Sequence, residues 1–87
     1  MIEKAVTINS SLETRSVALL VQTANMFASD IHVRIDERTA NAKSIMGIIS
    51  LGITDGQEVL LIAEGNDERQ AIPALEQFFS CVGLGVR

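Results

Sequence analysis

The chain is predicted to be α+β, in the order strand, helix, strand, strand, helix, strand, helix. Three observations predict it. Apolar and polar residues alternate with a period of two in residues 2–8, 30–35 and 58–63, as half-buried strands require. Helical spacing of apolar residues runs through two longer segments, near residues 14–28 and after residue 67. Between them, the stretch from Ser44 to Gly52 carries the punctuation of a short helix, a hydroxyl residue before its first turn and a glycine after its last.

The elements follow in order. Ile2, Lys4, Val6 and Ile8 alternate with Glu3, Ala5 and Thr7 in the first strand, and Asn9-Ser10-Ser11 forms a polar loop. A helix from about Thr14 to Ala28 carries Val17, Leu20, Val21, Ala24, Phe27 and Ala28 on its apolar face. Asp30 to Ile35 is a strand with Ile31, Val33 and Ile35 inward and His32 and Arg34 outward. Asp36-Glu37 turns it into a short partner strand, Arg38 to Ala42, without the Asn-Gly pair that such turns favour. After Thr54-Asp55-Gly56, the strand Glu58 to Ala63 turns Val59, Leu61 and Ala63 to the core and Leu60 and Ile62 away from it. Asn66-Asp67-Glu68 then caps a last helix with Ala71, Ile72, Leu75, Phe78, Phe79 and Val82 as its apolar stripe. Pro73, inside that helix, deletes one backbone hydrogen bond and predicts a kink.

Composition bounds the function. The 87 residues, 47% hydrophobic and 21% charged, predict one folded domain over residues 1–87 with an aliphatic core, since there are three Phe and no Trp or Tyr. No apolar run approaches the ~20 residues of a membrane span, and no signal peptide is visible. Cys81 is alone, so neither a disulfide framework nor a zinc spacing is present, and His32 lacks neighbours that would make a metal site. No metal or cofactor is expected. A net charge of −4 argues against a general nucleic-acid footprint. The helix after Ser44 is too short to persist unless docked on something larger, yet Ile45, Met46, Ile48, Ile49 and Leu51 exceed what one face of it can bury. Some of them are therefore expected at the surface as a contact patch, with one or two of Ile45, Met46 and Ile49 taken into the core.

Lys43-Ser44-Ile45-Met46-Gly47 followed by Ser50-Leu51-Gly52, together with Val21-Gln22-Thr23-Ala24 and the terminal Gly83-Leu84-Gly85, closely resembles the HPr family, the phosphocarriers of the bacterial sugar phosphotransferase system. The resemblance is to the Gram-positive branch and covers nearly the whole chain. It implies an open-faced two-layer sandwich, a four-stranded antiparallel sheet with three helices on one face. It also implies that Ser44 is a regulatory phosphorylation site and that the apolar helix behind it docks partners.

The resemblance fails where the family does its chemistry. The family histidine starts the first helix in a Gly-x-His-Ala-Arg-Pro setting, where helix amides and the dipole stabilise its phosphorylated ring. Counting back from Leu20-Val21-Gln22-Thr23-Ala24, the matching stretch is Ser11-Leu12-Glu13-Thr14-Arg15-Ser16. Arg15 falls on the family arginine, but Glu13 falls on the histidine, Ser11 on the glycine and Ser16 on the proline. The first strand aligns two residues out of step with the helix, so the intervening loop is shorter by two.

No catalytic residue remains, and the chain is expected to be a non-enzymatic regulatory relative, similar to the histidine-lacking catabolite-repression branch, where glutamine holds the place of Glu13. Glu13 has a structural reading, a carboxylate worth about 0.3–1 kcal/mol in a first helical turn. It also has functional ones: mimicry of the missing phosphohistidine's charge, or phosphoryl acceptance. Ser44 is likewise either an N-cap alone or the regulatory site that the resemblance implies. In the latter case the resemblance implies that an HPr kinase/phosphorylase modifies Ser44. It also implies that the product docks on the catabolite control repressor through Arg15, Ser44 and the apolar patch, with Glu13, Arg15, Ile45, Met46 and Ile49 as the partner-binding residues. An unmodified scaffold for phosphotransferase proteins is the alternative. The setting implied is cytoplasmic. Leu60 and Ile62, large and aliphatic on the open face, point to a weak homodimer unless the stems of Lys4 and Arg34 shield them.

Overall fold

The computed structural model describes residues 1–8, 14–53 and 56–83. Four strands and three helices follow in the expected order: β1 (Ile2–Thr7), α1 (Thr14–Ala24), β2 (Asp30–Ile35), β3 (Arg38–Asn41), α2 (Ile45–Leu51), β4 (Glu58–Glu64) and α3 (Glu68–Gly83). The sheet runs β1-β4-β2-β3 with every neighbouring pair antiparallel. Alternation decides its two faces. Ile31, Val33 and Ile35 of β2 and Val59, Leu61 and Ala63 of β4 are buried, whereas Arg34 is exposed and Leu60 and Ile62 are only half-buried. The helices cover the buried side, α3 packing on β1 and β4, α2 on β3, and α1 bridging to both helices. Val17, Leu20, Ile48, Leu51, Leu75 and Phe79 complete an aliphatic core with a single aromatic edge contact, Phe78 on Phe79 at 5.2 Å.

The first helix stops four residues short of the expected Ala28. Asn25 donates from Nδ2 to the Val21 carbonyl at 2.9 Å, and the next two amides fold back by three residues, Met26 to Thr23 and Phe27 to Ala24. A side chain that bonds the backbone ends the helix before the apolar pattern does. Phe27 still packs on the core, but from the loop. The strand β3 ends at Asn41, one residue early, because the Asn41 side chain and carbonyl accept from Lys43 and Ser44 and swing the chain towards α2. The two-residue turn before β3 is made by Asp36 at φ 56°, a conformation that aspartate tolerates better than most residues. Helix α3 runs continuously past Pro73, which is exposed.

The cap expected at Asn66-Asp67-Glu68 is built differently. The carboxylate of Asp67 leaves its own helix and accepts from the Ala28 amide at 2.8 Å, the Ser29 amide at 2.9 Å and the Ser29 hydroxyl. Glu68 instead accepts from the Gly65 amide at 3.0 Å and pairs with the Met1 ammonium at 3.2 Å. The corner where β4 enters α3 is thereby fastened to the loop between α1 and β2. Donation from the Ser29 hydroxyl, then from the Ala28 amide, holds the Asp67 carboxyl below its ordinary pKa. A depressed folded-state pKa stabilises the fold above the unfolded value, and that stability is lost as the pH falls through the folded one. Replacing Asp67 by Asn is therefore expected to lower the denaturation midpoint near neutral pH, with the gap to the parent narrowing as the pH falls below the ordinary aspartate pKa of about 4. A gap of constant size from neutral to acid pH would show that the carboxylate's charge is not what matters.

Candidate functional site

Ser44 is the N-cap of α2. Its backbone is extended at φ −116° and ψ 115°, and its Oγ accepts from the Gly47 amide at 3.2 Å. Gly52 closes the helix in the left-handed conformation, φ 66°, and returns its amide to the Ile49 carbonyl. Between these ends Ile48 and Leu51 take the core, at 1% and 4% exposure. Ile45, Met46 and Ile49 stay out, at 43%, 71% and 45%. The surplus of apolar residues read from the sequence is thus divided between core and surface, and three of the five form an exposed apolar patch immediately after the serine.

Lys43 does not join Ser44. Its Nζ donates to the Phe27 carbonyl at 2.8 Å, which ties the entry of α2 to the loop that Asp67 holds from the other side. On the opposite flank, a shallow groove of about 420 Å³ lies between β3 and α2, with Asn41, Ser44, Gly47 and Ser50 in its lining. The serine is half-buried, its hydroxyl on the wall of an open trough.

Arg15 is exposed on α1, which packs against α2. Leu19, four residues further along the same helix, is 48% exposed and belongs to the surface on that side. The sequence held a signal for it, since Leu19 falls outside the helical stripe of Val17, Leu20, Val21 and Ala24. Met26, 72% exposed in the loop after α1, carried no such signal because the helix was expected to run through it. Glu13 lies outside the described residues. His32 is half-buried on the open face, opposite Asn41 on one side and Ile62 on the other. Among the described residues, no group of three or more His, Cys, Asp or Glu could hold a metal ion. No helix among them is long and apolar enough to cross a membrane.

On the open face, Leu60 sits between Ala5 and Arg34, and Ile62 between Glu3 and His32. The expectation that Lys4 shields this pair is overturned. Lys4 belongs to the helix side of β1, and its Nζ lies 3.8 Å from Glu76 of α3. Arg34 donates from Nε to the Asp36 carbonyl at 2.8 Å, along its own strand.

Comparison with known proteins places this geometry among relatives. The family described as PTS HPr component phosphorylation site matches residues 2–80. The HPr-like protein Crh of Halalkalibacterium halodurans is 48% identical over 80 residues, covering 90% of this chain and 95% of that protein. The crystal structure of HPr-C-His from Thermoanaerobacter tengcongensis superimposes with a TM-score of 0.88 at 45% identity, over 95% of this chain and 96% of the other. That of the Bacillus subtilis catabolite repression containing protein Crh, a dimer with a swapped domain, gives 0.76 at 41% identity, over 92% and 94%.

Proposed function

The chain belongs to the HPr family of the sugar phosphotransferase system, and from that premise we propose that it is a regulatory member acting in carbon catabolite control through phosphorylation of Ser44. One observation carries the reading. The hydroxyl that the family motif marks is an N-cap on an open groove, directly followed by three exposed apolar side chains. A phosphate placed there changes a docking surface and leaves the core beneath it, Ile48 and Leu51, untouched. Glu13 at the position of the phosphocarrier histidine removes the nitrogen that phosphoenolpyruvate-dependent transfer needs, which leaves the serine as the regulated group. In this reading the modifying enzyme is a cytoplasmic HPr kinase/phosphorylase using ATP. The phosphorylated chain docks on the catabolite control repressor through Arg15, Ser44 and the patch of Ile45, Met46 and Ile49. Other phosphotransferase proteins are further partners of that surface. The chain itself catalyses nothing.

The test is a pair of incubations. With ATP and the serine kinase, label is expected on the parent and absent from the Ser44→Ala variant. With phosphoenolpyruvate and the general phosphotransferase enzyme, no label is expected. Label persisting in the alanine variant, for instance on Ser50, would move the site. No label in either incubation would point to an unmodified scaffold, and label from phosphoenolpyruvate alone would point to Glu13 as acceptor.

Self-association is the second part of the proposal. Leu60 and Ile62 present branched apolar side chains on the open face without Lys4 to cover them, and the Bacillus subtilis relative is a dimer. Each such side chain contributes roughly 1.5–3 kcal/mol when fully covered, enough for a weak symmetric pair. Sedimentation equilibrium over a concentration series is expected to show a dimer that the Leu60→Thr, Ile62→Ser double variant loses. A double variant with the mass distribution of the parent would rule out this face.

A further inference from the structure

Gly47 lies inside α2, and the structure gives no conformational reason for it to be glycine. Its φ is not positive, unlike those of Gly52, Gly56 and Gly65. A methyl group built on it would lie 3.4 Å from the Ser44 Oγ, 3.5 Å from the Ser44 Cβ and 3.5 Å from the Ala40 Cβ. These are ordinary contact distances, so the Ala40 methyl of β3 leaves room for alanine at this position. Alanine is also the better helix former, because glycine loses more chain entropy on folding. A position that breaks the local rule without a structural return points to function.

What the missing methyl leaves free is the approach to the serine. Ser44 and Gly47 line the same groove, and the Gly47 amide already holds the Ser44 Oγ from the helix side. Resting on the phosphorylation of Ser44 proposed above, we infer that Gly47 is a positioning residue for that reaction, kept as glycine to leave room for the phosphoryl group. In the transfer, the Ser44 Oγ forms a bond to the γ-phosphorus of ATP as the bond to the ADP oxygen breaks. The hydroxyl proton passes to a base on the kinase. The reacting atoms must come within about 3–3.5 Å on an in-line path, and the product adds three oxygens around the phosphorus. A methyl group 3.4 Å from the Oγ occupies one of the directions in which the phosphorus and its oxygens would have to lie. Its nearest neighbours are Ser44 and Ala40, and none of Ile45, Met46 or Ile49 is among them.

Gly47→Ala in α2 and Gln77→Ala on the exposed side of α3 both raise helix propensity, but only the first places a carbon beside the hydroxyl. Thermal unfolding is expected to show both variants as stable as the parent or more so. With ATP and the kinase, the Gln77→Ala variant should label like the parent, while kcat/KM for the Gly47→Ala variant should fall roughly tenfold or more. Labelling of the Gly47→Ala variant within about twofold of the parent overturns the inference. A second arm needs no kinase. The chain is made by ligation with serine or phosphoserine at position 44, each with glycine or alanine at 47, and the four melting temperatures are compared as a cycle. The phosphate should be less well tolerated beside alanine than beside glycine, and effects that simply add overturn the inference. If the parent takes no label but the cycle shows coupling, the kinase reading fails and the steric role of Gly47 stands.

Discussion

Replacing Gly65 by alanine is expected to destabilise the fold by roughly 3 kcal/mol, a loss on the order of 15 °C in melting temperature for a domain of this size. Gly65 sits at φ 155°, and a Cβ there would come within 2.7 Å of both the Ser29 Cα and its hydroxyl. Backbone cannot yield as a side-chain tip can. The loop carrying Ser29 would have to retreat, and with it the amides of Ala28 and Ser29 that Asp67 holds. Gly52 provides the comparison. It is also left-handed, at φ 66°, but a Cβ there meets nothing within 4 Å. Its alanine variant should lose only the conformational term, roughly 1–2 kcal/mol. Urea titration of the two variants measures the difference, and a Gly65→Ala loss no larger than that of Gly52→Ala would mean that the corner between β4 and α3 is not packed as described.

Restoring a histidine is expected to fail by about a hundredfold. The Glu13→His variant, incubated with phosphoenolpyruvate and the general phosphotransferase enzyme, should accept phosphate far more slowly than an ordinary HPr, because an error of ~1 Å in a reacting group can cost that much in rate. Both flanks of the stretch are fixed. Ile8 donates to the Gln57 carbonyl and accepts from the Gly56 amide, each at 2.8 Å. On the other flank, Val17 and Leu20 lock α1 into the core at 4% and 0% exposure. By the resemblance read from the sequence, the connection between these anchors is expected to be two residues shorter than in the carrier and to lack its glycine and proline. A new imidazole would hang from a different path. Transfer at the rate of an ordinary HPr would show that the path does not matter.

The sequence made the architecture legible because its alternation is strong where the burial is strong. In β4, Val59, Leu61 and Ala63 are buried and Leu60 and Ile62 are not, as the pattern of two requires. The α2 helix was legible from its ends, since a serine and a left-handed glycine bracket it. What escaped reading depends on contacts between distant residues. Asp67 was expected to cap its own helix because nothing local shows that Ala28 and Ser29 will lie against it. Phe27 kept the helical spacing after Asn25 had already bonded back to Val21 and ended the helix. Lys4 was placed beside Leu60 by its long stem, but a strand residue's face is set by register, and register pairs it with the core-facing Leu61, on the helix side where its Nζ meets Glu76. At the candidate site, Ser44 was readable from the motif and an apolar patch from the surplus of apolar residues. That Ile45, Met46 and Ile49 would all three stay out was not readable. Leu19 was signalled only by falling outside the stripe of its helix.

The strand order has a consequence in time. Among the described residues β1 pairs with β4 alone, Ile2 lying opposite Ala63 and Thr7 opposite Glu58. A ribosome therefore releases β1 long before that partner exists. The hairpin of β2 and β3 can close early from neighbouring residues, whereas β1 has to wait, its backbone groups unpaired, until β4 has emerged. Strand β1 is thus among the last of these elements to find its place, and in that interval a β4 from a second copy offers it the same hydrogen bonds.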